Sequence, residues 1–330
     1  MMHKVRWGIL STANIALTQV IPAIQRYENT EVVAIASRSG KAQQAADKLN
    51  IPKGYDSYEA LLEDSSIDAV YIPLPNHLHK HWVMEAAKRG KHILCEKPAA
   101  LTADETAEMI QFCRSHNVKF MEAFMYQFHP QHHRVKEILA SDAIGEVKQM
   151  RASFSFYLDD RVTNIRMNKE MGGGSIYDVG CYCIHAIRNI LESEPLSVHA
   201  NARIDSETGI DITSVGSMIL ENGTVATFDC SFDTTFRNEY EIIGTKGRIH
   251  VPRAFRPDVV GGEGLILIQN AEGERTEKVS GDIYRSEIAH ISQSIIRDLD
   301  LSAFEENTTK NMRVIDACYQ SIELGKRIDF

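Results

Sequence analysis

The chain has 330 residues, 43% of them hydrophobic and 25% charged, and a formal net charge of −9 at neutral pH. At about 150 residues per domain, this length predicts two domains. The acidic balance disfavours a nucleic-acid surface, and six cysteines without a C-x-x-C pair indicate reduced thiols. No apolar run approaches the roughly 20 residues of a membrane helix, and the N-terminal segment does not read as a signal peptide. We therefore expect a cytoplasmic protein that binds neither nucleic acid nor membranes.

The first third of the chain alternates between strand and helix patterns. Thr102 and Glu105 form a capping box at the start of the last of these helices. Strands that alternate with helices of this length predict βαβ units, and so a doubly wound parallel α/β sheet. The predicted strands cover residues 5–10, 31–37, 69–72, 92–95 and 118–124, and the predicted helices cover 15–27, 41–49, 79–89 and 103–116.

The pattern changes after about Gly145, where antiparallel signals begin. Asn222-Gly223 is a strong hairpin turn between two alternating segments. Residues 1–123 are therefore predicted to form the doubly wound domain, and residues 124–330 an α+β domain with a large, mainly antiparallel open sheet. Strands are predicted at 147–157, 215–220 and 225–233, hairpins at 240–251 and 265–279, and helices at 175–192, 284–299 and 308–326.

The stretch GILSTANIA, Gly8–Ala16, follows the first strand and opens a helix, as a phosphate-binding turn does. Its G-x-G-x-x-G positions hold Ser11, Ala13 and Ala16. These residues are small enough for backbone N–H groups to approach a pyrophosphate, but they resist the positive φ of glycine. We expect a modified dinucleotide turn, with an ordinary strand–helix junction as the alternative. The predicted cofactor contacts here are Ser11, Thr12, Ala13, Asn14 and Ile15.

Ser37 and Arg38 end the second strand, at the position where NAD enzymes usually place an acid. A carboxylate there would repel a 2′-phosphate, whereas an arginine flanked by Ser37 and Ser39 suits one. The predicted cofactor is therefore NADP(H), with NAD(H) as a weaker alternative. A solvated surface arginine is the competing interpretation.

Three further motifs connect the chain to a known family. They are Glu96-Lys97-Pro98 after a strand, PLPNHLH at Pro73–His79, and GGGSIYDVGCYCIHA at Gly172–Ala186. With these motifs and the N-terminal turn, the chain resembles the glucose–fructose oxidoreductase / inositol dehydrogenase / MocA family over nearly its whole length. The segment EAFMYQFHPQ, Glu122–Gln131, is similar to the branch of dihydrodiol dehydrogenases and NADP-dependent D-xylose dehydrogenases. Gln127 departs from the arginine of many relatives, which weakens any specificity inferred by analogy.

The resemblance implies a Rossmann-type first domain with a nicotinamide cofactor, and a sugar, polyol or cyclic diol held by the second domain. It also implies a homodimer through the C-terminal sheet. We expect the sheet face left over after core formation to expose apolar surface that a second copy covers. The further cofactor contacts assigned on this basis are Pro73, Asn76, His79, Glu96 and Lys97, and the substrate contacts are Lys97, Met125, Tyr157, Asp178, Tyr182 and His185.

Catalytic candidates lie on the helix predicted at 175–192. Asp178, Tyr182 and His185 are spaced i, i+4 and i+7, so they share one face. A nearby cation favours ionised tyrosine, whose ordinary pKa is near 10. Lys97 leaves the carboxyl end of a parallel strand, where ligands bind. We assign Tyr182 as acid/base, Lys97 as its partner and Asp178 as the orienting residue; the alternative is a packing tyrosine and a solvated aspartate.

Other functions remain open at this stage. Histidines at 77, 79 and 81 and at 129, 132 and 133 attract a metal interpretation, but 79–89 reads as helix and no acid has ligand spacing, so no metal is expected. A non-catalytic NAD(P)-binding sensor or regulator, and an oxidoreductase with permanently held cofactor, are the alternatives. Lys97, Asp178 and Tyr182 are all present, which favours an enzyme that transfers hydride between a nicotinamide cofactor and a CH–OH group.

Overall fold

The computed structural model describes residues 4–330, so the first three residues of the predicted range 1–123 lie outside it. The chain forms two compact units. The first unit comprises the described residues up to Met125 together with Tyr284–Met312. The second comprises Tyr126–Ile283 and Arg313–Phe330.

The segment Tyr284–Met312 belongs to the first unit, whereas the predicted division placed it in the second domain together with the rest of residues 124–330. Its side chains find their partners on the first unit: Arg114 pairs with Glu305, and Nε2 of Gln293 donates to the hydroxyl of Tyr27 at 2.9 Å. Sequence reasoning places a C-terminal helix with the domain that precedes it, and these long-range contacts leave no local signal.

Most of the elements observed are close to the predicted ones, but the helix Pro130–Ala140 and the strand Pro195–Ile204 were not predicted. The helices are α1 (Ile21–Arg26), α2 (Ala42–Leu49), α3 (Tyr58–Leu62), α4 (His79–Lys88), α5 (Ala103–Ser115), α6 (Pro130–Ala140), α7 (Cys181–Leu191), α8 (Ile283–Ile296) and α9 (Ser302–Leu324). The strands are β1 (Val5–Leu10), β2 (Thr30–Ala36), β3 (Lys53–Tyr55), β4 (Ala69–Ile72), β5 (His92–Glu96), β6 (Phe120–Ala123), β7 (Val147–Tyr157), β8 (Pro195–Ile204), β9 (Asp211–Leu220), β10 (Val225–Ser231), β11 (Asp233–Gly244), β12 (Gly247–Val251), β13 (Glu263–Asn270), β14 (Gly273–Ser280) and β15 (Ile328–Asp329). Two π-helical turns, Ala16–Val20 and Ile176–Gly180, lead directly into α1 and α7.

The sheet of the first unit has the strand order β3-β2-β1-β4-β5-β6, and its neighbours pair in parallel. Apolar strand residues such as Val70 and Ile93 are buried together with Trp82 of α4 and Phe120 of β6. The continuous apolar character of β4 and β5 follows from burial on both faces of a parallel sheet. The predicted doubly wound α/β fold is confirmed. The short elements β3 and α3 were not predicted, because three to five residues show no clear periodicity.

The sheet of the second unit has the order β14-β13-β12-β11-β7-β10-β9-β8-β15. Neighbouring strands are antiparallel except β7 and β10, which run parallel. The predicted hairpin joins β9 to β10 through Gly223, whose φ of +82° favours glycine. α7 packs against β7 and β10, so the buried residues of β10 face this helix. The predicted α+β architecture is also confirmed.

The opposite face of this sheet is mainly polar, which corrects the expected apolar surface. Arg237 donates to Asp229 at 2.9 Å and to Ser153 at 2.7 Å, and it also contacts Glu239. Nε2 of His250 lies 2.9 Å from Glu239. Strict alternation of side chains directs the polar residues of β10 outward, and their charges pair across strands. Exposed apolar side chains such as Val215 and Val225 are scattered around this network.

Candidate active site

The turn after β1 forms without glycine. Ser11 has a φ of 158°, which is extended backbone, and its Oγ accepts the N–H of Ala13 at 3.0 Å. Helical backbone begins at Asn14, and the first full turn, Ala16–Val20, is a π turn. The structure thus shows the expected modification: a side-chain bond and a wide helical turn shape the loop where other dinucleotide turns use glycine. This loop lies at the carboxyl edge of the parallel sheet.

Ser37, Arg38 and Ser39 follow β2 at the same edge. Oγ of Ser37 lies 2.9 Å from Oγ of Ser39 and 3.4 Å from Oγ1 of Thr12, so hydroxyl groups join the loops after β1 and β2. Hydroxyls beside a guanidinium are donors that phosphate oxygens accept. The residues present therefore fit a 2′-phosphate.

Arg38 rests on an aromatic platform formed by Tyr58 and Trp82. Its Cζ lies 5.0 Å from the Tyr58 ring centroid and 4.8 Å from that of Trp82. The two rings pack edge to face at 5.0 Å, and Trp82 is fully buried. Nη2 of Arg38 also donates to Oε1 of Glu59 at 2.9 Å. These contacts fix the orientation of the guanidinium.

His79 is completely buried at the start of α4. Its Nδ1 lies 2.9 Å from the carbonyl oxygen of Pro98, and its Nε2 lies 2.8 Å from that of Leu74. Burial lowers the pKa of His79 to about 4, although both carbonyls favour a protonated ring. A neutral imidazole can donate to only one of them. The imidazole thus ties the loop after β4 to the loop after β5, and the predicted cofactor contact of His79 stays a prediction.

The loop after β5 carries Lys97, which is partly exposed. The preceding Glu96 accepts a hydrogen bond of 2.5 Å from the hydroxyl of Tyr71 and a weaker one from the Lys97 N–H. Two residues further on, the N–H of Ala99 donates to Oε1 of Glu122 at 2.8 Å. The backbone at Lys97 and two residues beyond it is therefore held by the carboxyl groups of Glu96 and Glu122.

Two carboxyl groups in this region are fully buried. Burial raises the pKa of Glu122 to about 8, and the opposing effect of the Lys97 charge is small. Burial, together with the charge of Glu96, holds the pKa of Glu287 well above its usual range. Both groups are therefore neutral acids over much of the acidic to neutral range.

In the second unit, the π turn and α7 carry Asp178 and Tyr182. Nε of Arg166 donates to Oδ2 of Asp178 at 2.6 Å. Tyr182 is only 4% exposed, and its ring packs 5.3 Å from that of Phe154 and 5.7 Å from that of Phe255. The carboxylate is thus oriented by an arginine, and the phenol lies in an aromatic surround.

His185 lies one turn beyond Tyr182 and is also buried. Its Nδ1 lies 2.6 Å from the hydroxyl of Tyr126, whose ring packs against both His185 and Tyr182. Burial lowers the pKa of His185 well below its ordinary value. Both residues face Tyr126, in keeping with the predicted shared helix face. Burial and the bond to Tyr126 direct His185 to a packing role, so the predicted substrate contact stays a proposal with less support.

The glycine-rich segment before the π turn is held by a buried carboxylate. Oδ2 of Asp211 accepts the Ile176 N–H and the Ser175 hydroxyl, each at 2.8 Å, and Oδ1 accepts the hydroxyl of Tyr319 at 3.0 Å. Gly174 has a φ of +130°, and a Cβ there would lie 2.2 Å from Oδ1 of Asp211. Only glycine allows this close approach, which fixes the start of the helix that carries Asp178 and Tyr182.

The remaining predicted contacts are distributed over both units. Pro73 is buried and Asn76 partly exposed in the loop after β4, and Met125 is buried at the end of the first unit. Tyr157 ends β7 with a 60% exposed side chain, and the guanidinium of Arg161 lies 5.3 Å from its ring centroid.

Within residues 4–330, no group of three or more His, Cys, Asp or Glu side chains has an arrangement that could hold a metal ion. The described histidines of the second cluster bond to other groups: Nδ1 of His132 lies 2.9 Å from the Tyr240 hydroxyl, and Nε2 of His129 lies 3.0 Å from the Gly262 carbonyl oxygen. No helix in the described part of the chain has the length and apolar character needed to cross a membrane.

Sequence reasoning missed several residues that shape these loops. Of the platform residues, Trp82 lies in a segment that was predicted only as a helix, and Tyr58 lies in a helix that was not predicted. Arg166 lies in a short segment without a predicted helix or strand. Asp211 and Glu122 are acidic, and acidic side chains are expected at the protein surface. Their partners lie 12 to 108 residues away in the sequence, so the only local signal was Glu122, an acid within an apolar strand pattern.

A dinucleotide turn, a phosphate-binding donor set and a lysine loop at one edge of a parallel sheet define a nicotinamide-dinucleotide-binding oxidoreductase. In agreement, a family model described as an oxidoreductase family with an NAD-binding Rossmann fold matches residues 5–124, and the GFO/IDH/MocA C-terminal domain matches residues 132–250. The chain belongs to the glucose–fructose oxidoreductase / inositol dehydrogenase / MocA family.

Individual relatives agree with the branch expected from the sequence. The chain is 40% identical to D-xylose 1-dehydrogenase (NADP(+)) 2 of Haloferax volcanii, over 98% of this chain and 99% of that protein. It is 37% identical to trans-1,2-dihydrobenzene-1,2-diol dehydrogenase of Xenopus tropicalis, over 75% of each chain. It also resembles the structure of a tyrosine-to-phenylalanine variant of a 3-ketoreductase from Actinomadura kijaniata in complex with TDP-benzene and NADP, with a TM-score of 0.93, 27% identity and coverage of 97% and 98%.

Replacing Glu122 by glutamine should change how stability depends on pH. The folded-state pKa is about 8 and the ordinary one 4.5, so between these values the unfolded chain has released a proton that the folded chain retains. Wild-type stability should therefore fall as pH rises through this window, by at most about 1.4 kcal/mol per pH unit. Glu122→Gln removes this loss but can still accept the Ala99 N–H. Relative to wild type, the variant should gain up to about 3 kcal/mol between pH 5 and pH 7.5 in denaturant unfolding.

Glu108→Gln is the matched control, because it removes a carboxyl group from the exposed side of α5. A stability difference between Glu122→Gln and wild type that stays constant over this pH range would contradict the assignment of a protonated, buried Glu122.

Proposed function

We propose that the protein is an NADP-preferring dehydrogenase or reductase acting on a CH–OH group of a sugar, polyol or cyclic trans-diol. The observation that carries the proposal is the position of Lys97 at the carboxyl edge of the Rossmann sheet. The loop that carries Lys97 is held by the carboxyl groups of Glu96 and Glu122. The substrate class is supported by the names of the relatives in Haloferax volcanii and Xenopus tropicalis, a sugar dehydrogenase and a diol dehydrogenase.

The residues for cofactor binding lie on the loops after β1, β2, β4 and β5. In this proposal the backbone of Ser11–Ile15 holds the pyrophosphate at a helix start, and Ser37 and Arg38 hold the 2′-phosphate. Asn76, Glu96 and Lys97 lie nearer the nicotinamide end. The cofactor, when bound, accepts or supplies the hydride. Every other chemical task falls to the side chains of the chain.

Tyr182 is proposed as the acid/base. In the oxidation direction its phenolate takes the proton of the substrate hydroxyl, and in the reduction direction its phenol returns a proton to the carbonyl oxygen. Lys97 favours the phenolate by its positive charge and donates a hydrogen bond to the substrate oxygen. Lys97 belongs to the first unit and Tyr182 to the second, so the pairing rests on residue type and on the place of each in its own unit.

Asp178 is proposed to orient the substrate. Its bond to Arg166 fixes the direction of the carboxylate, and the Asp178 N–H in turn donates to the carbonyl of Gly174 at 3.1 Å. An ionised carboxylate accepts hydrogen bonds from substrate hydroxyl groups, which sugars, polyols and diols all provide. The buried free thiols of the six cysteines are in keeping with the proposed cytoplasmic location.

Arg38→Ala should weaken NADPH binding about ten- to a hundredfold, because an arginine–phosphate pair contributes roughly 1.5–3 kcal/mol. The affinity for NADH should hardly change. Titration of each reduced cofactor by fluorescence measures both values. Equal losses for the two cofactors would mean that Arg38 stacks on the adenine and does not bind the 2′-phosphate.

Tyr182→Phe should lower kcat by about 10²–10⁴, because it retains the ring packing but removes the ionisable hydroxyl. Lys97→Met should be at least as damaging, and the two losses should not add because the residues act together. Assays over a panel of aldoses, inositols and cyclic diols, followed by NADPH absorbance, give the rates. In wild type, oxidation should increase with pH through an apparent pKa below 10, and this limb should vanish in Tyr182→Phe.

Tyr126→Phe, which removes the hydroxyl bonded to His185 one turn away, controls for loss of a buried phenol. If Tyr182→Phe retains most of its activity, the acid/base lies elsewhere. If the wild-type protein binds NADPH but turns over no member of the panel, the non-catalytic sensor becomes the better explanation.

The protein is also proposed to form a homodimer through the open face of the second unit's sheet. This face pairs its own charges around Arg237 and leaves Val215, Ile219 and Val225 exposed between them. Light scattering at micromolar concentration should give twice the chain mass of 37.1 kDa. Val215→Glu, on β9 opposite Asp229, should shift the mass toward that of one chain, and a monomeric wild type would exclude the dimer.

A further inference from the structure

Arg38 has two kinds of neighbour, and they act in opposite ways on its proposed ligand. The rings of Tyr58 and Trp82 support its guanidinium plane and carry no net charge. Glu59 carries a full negative charge and takes a hydrogen bond of 2.9 Å from Nη2. Neither Arg38 nor Glu59 is buried, since their side chains are 54% and 52% exposed. The ion pair can therefore open and close without disturbing the core.

A 2′-phosphate and Glu59 are both anions that bind through the same planar guanidinium. The phosphate carries about −1.5 to −2 charges at neutral pH and has three strong acceptor oxygens. An exposed ion pair of this kind contributes only about 0.2–1 kcal/mol, so the phosphate can displace the carboxylate. The Glu59 carboxylate is then left close to the phosphate, because the peptide link to Tyr58 keeps it beside the platform. Two like charges a few ångströms apart repel by about 1 kcal/mol even in water.

We propose that Glu59 is a specificity-determining residue, which competes with the 2′-phosphate for Arg38 and so limits the preference for NADP(H) over NAD(H). This inference rests on the proposed role of Arg38. NAD(H) lacks the 2′-phosphate, so it neither breaks the Arg38–Glu59 pair nor meets the repulsion. The ratio of the two affinities is thereby smaller than Arg38 alone would give, although the affinity for NAD(H) itself is unchanged.

The test is Glu59→Gln, which keeps the size and position of the side chain in the first turn of α3 and removes its charge. The affinity for NADPH should rise about three- to tenfold, and that for NADH should change less than twofold. Titration calorimetry with adenosine 2′-monophosphate and adenosine 5′-monophosphate should show the same contrast without any turnover. The gain should shrink at high salt, since exposed charges are screened.

Glu63→Gln is the matched control. Glu63 follows α3 directly, is 67% exposed and pairs with Arg89 at 2.7 Å, so the variant removes the same charge from the same surface without touching Arg38. It should leave both cofactor affinities unchanged. In an Arg38→Ala background, Glu59→Gln should raise the affinity for NADPH less than it does in the wild type, because the competition for Arg38 has been removed and only the repulsion between carboxylate and phosphate remains.

The results for Arg38→Ala and Glu59→Gln test the roles of these two residues separately. If Arg38→Ala weakens NADPH alone but Glu59→Gln leaves NADPH binding unchanged or weaker, Glu59 does not compete and this inference is overturned while the role of Arg38 stands. If Arg38→Ala weakens both cofactors equally, the proposed 2′-phosphate contact fails first. A gain with Glu63→Gln equal to that with Glu59→Gln would show a general charge effect and would also overturn the inference.

Discussion

Parallel pairing brings every strand of the first unit's sheet to an end at the same edge, and the loops that follow β1, β2, β4 and β5 meet there as a consequence. These loops are irregular, so their backbone N–H and carbonyl groups lack ladder partners and must be satisfied by other means. The His79 imidazole lies within hydrogen-bond distance of the carbonyls of Leu74 and Pro98 and, when neutral, donates to one of them, and the Glu122 carboxyl group accepts the Ala99 N–H. The loops at this edge are therefore held in place both by the strands they follow and by buried polar side chains.

The two units share one way of fixing a reactive segment. In the first, a buried carboxyl group of Glu122 accepts a backbone N–H two residues after Lys97. In the second, the buried carboxylate of Asp211 accepts a backbone N–H two residues before Asp178. Burying an acid is unfavourable, which is visible in the raised pKa of both groups. The hydrogen bonds offset this cost and hold the segment in a single conformation, which an apolar side chain could not do.

Much of the fold and part of the site could be predicted because the relevant signals are local. The alternation of β10, the Asn222-Gly223 turn and the capping box at Thr102 each lie within a few residues, and each appears in the structure. The loop positions of Arg38 and Lys97 follow from strand ends alone. The placement of 284–312, the platform beneath Arg38 and the roles of His79 and Asp211 depend on contacts between distant parts of the chain. A sequence shows that His79 is a histidine in a helix, but only the fold shows that two carbonyl groups surround it.

The helices that open both functional segments begin with a π turn, at Ala16–Val20 and at Ile176–Gly180. Such a turn accommodates one residue more than an α-helix needs. Deleting one residue from Ile176–Gly180 would let this turn close to an ordinary α-helical turn, so the segments before and after it would stay in phase. Asp178, which lies within the turn, would change position, whereas Tyr182, which lies beyond it, would keep its place on α7. The extra residue thus sets the position of Asp178 separately from that of Tyr182.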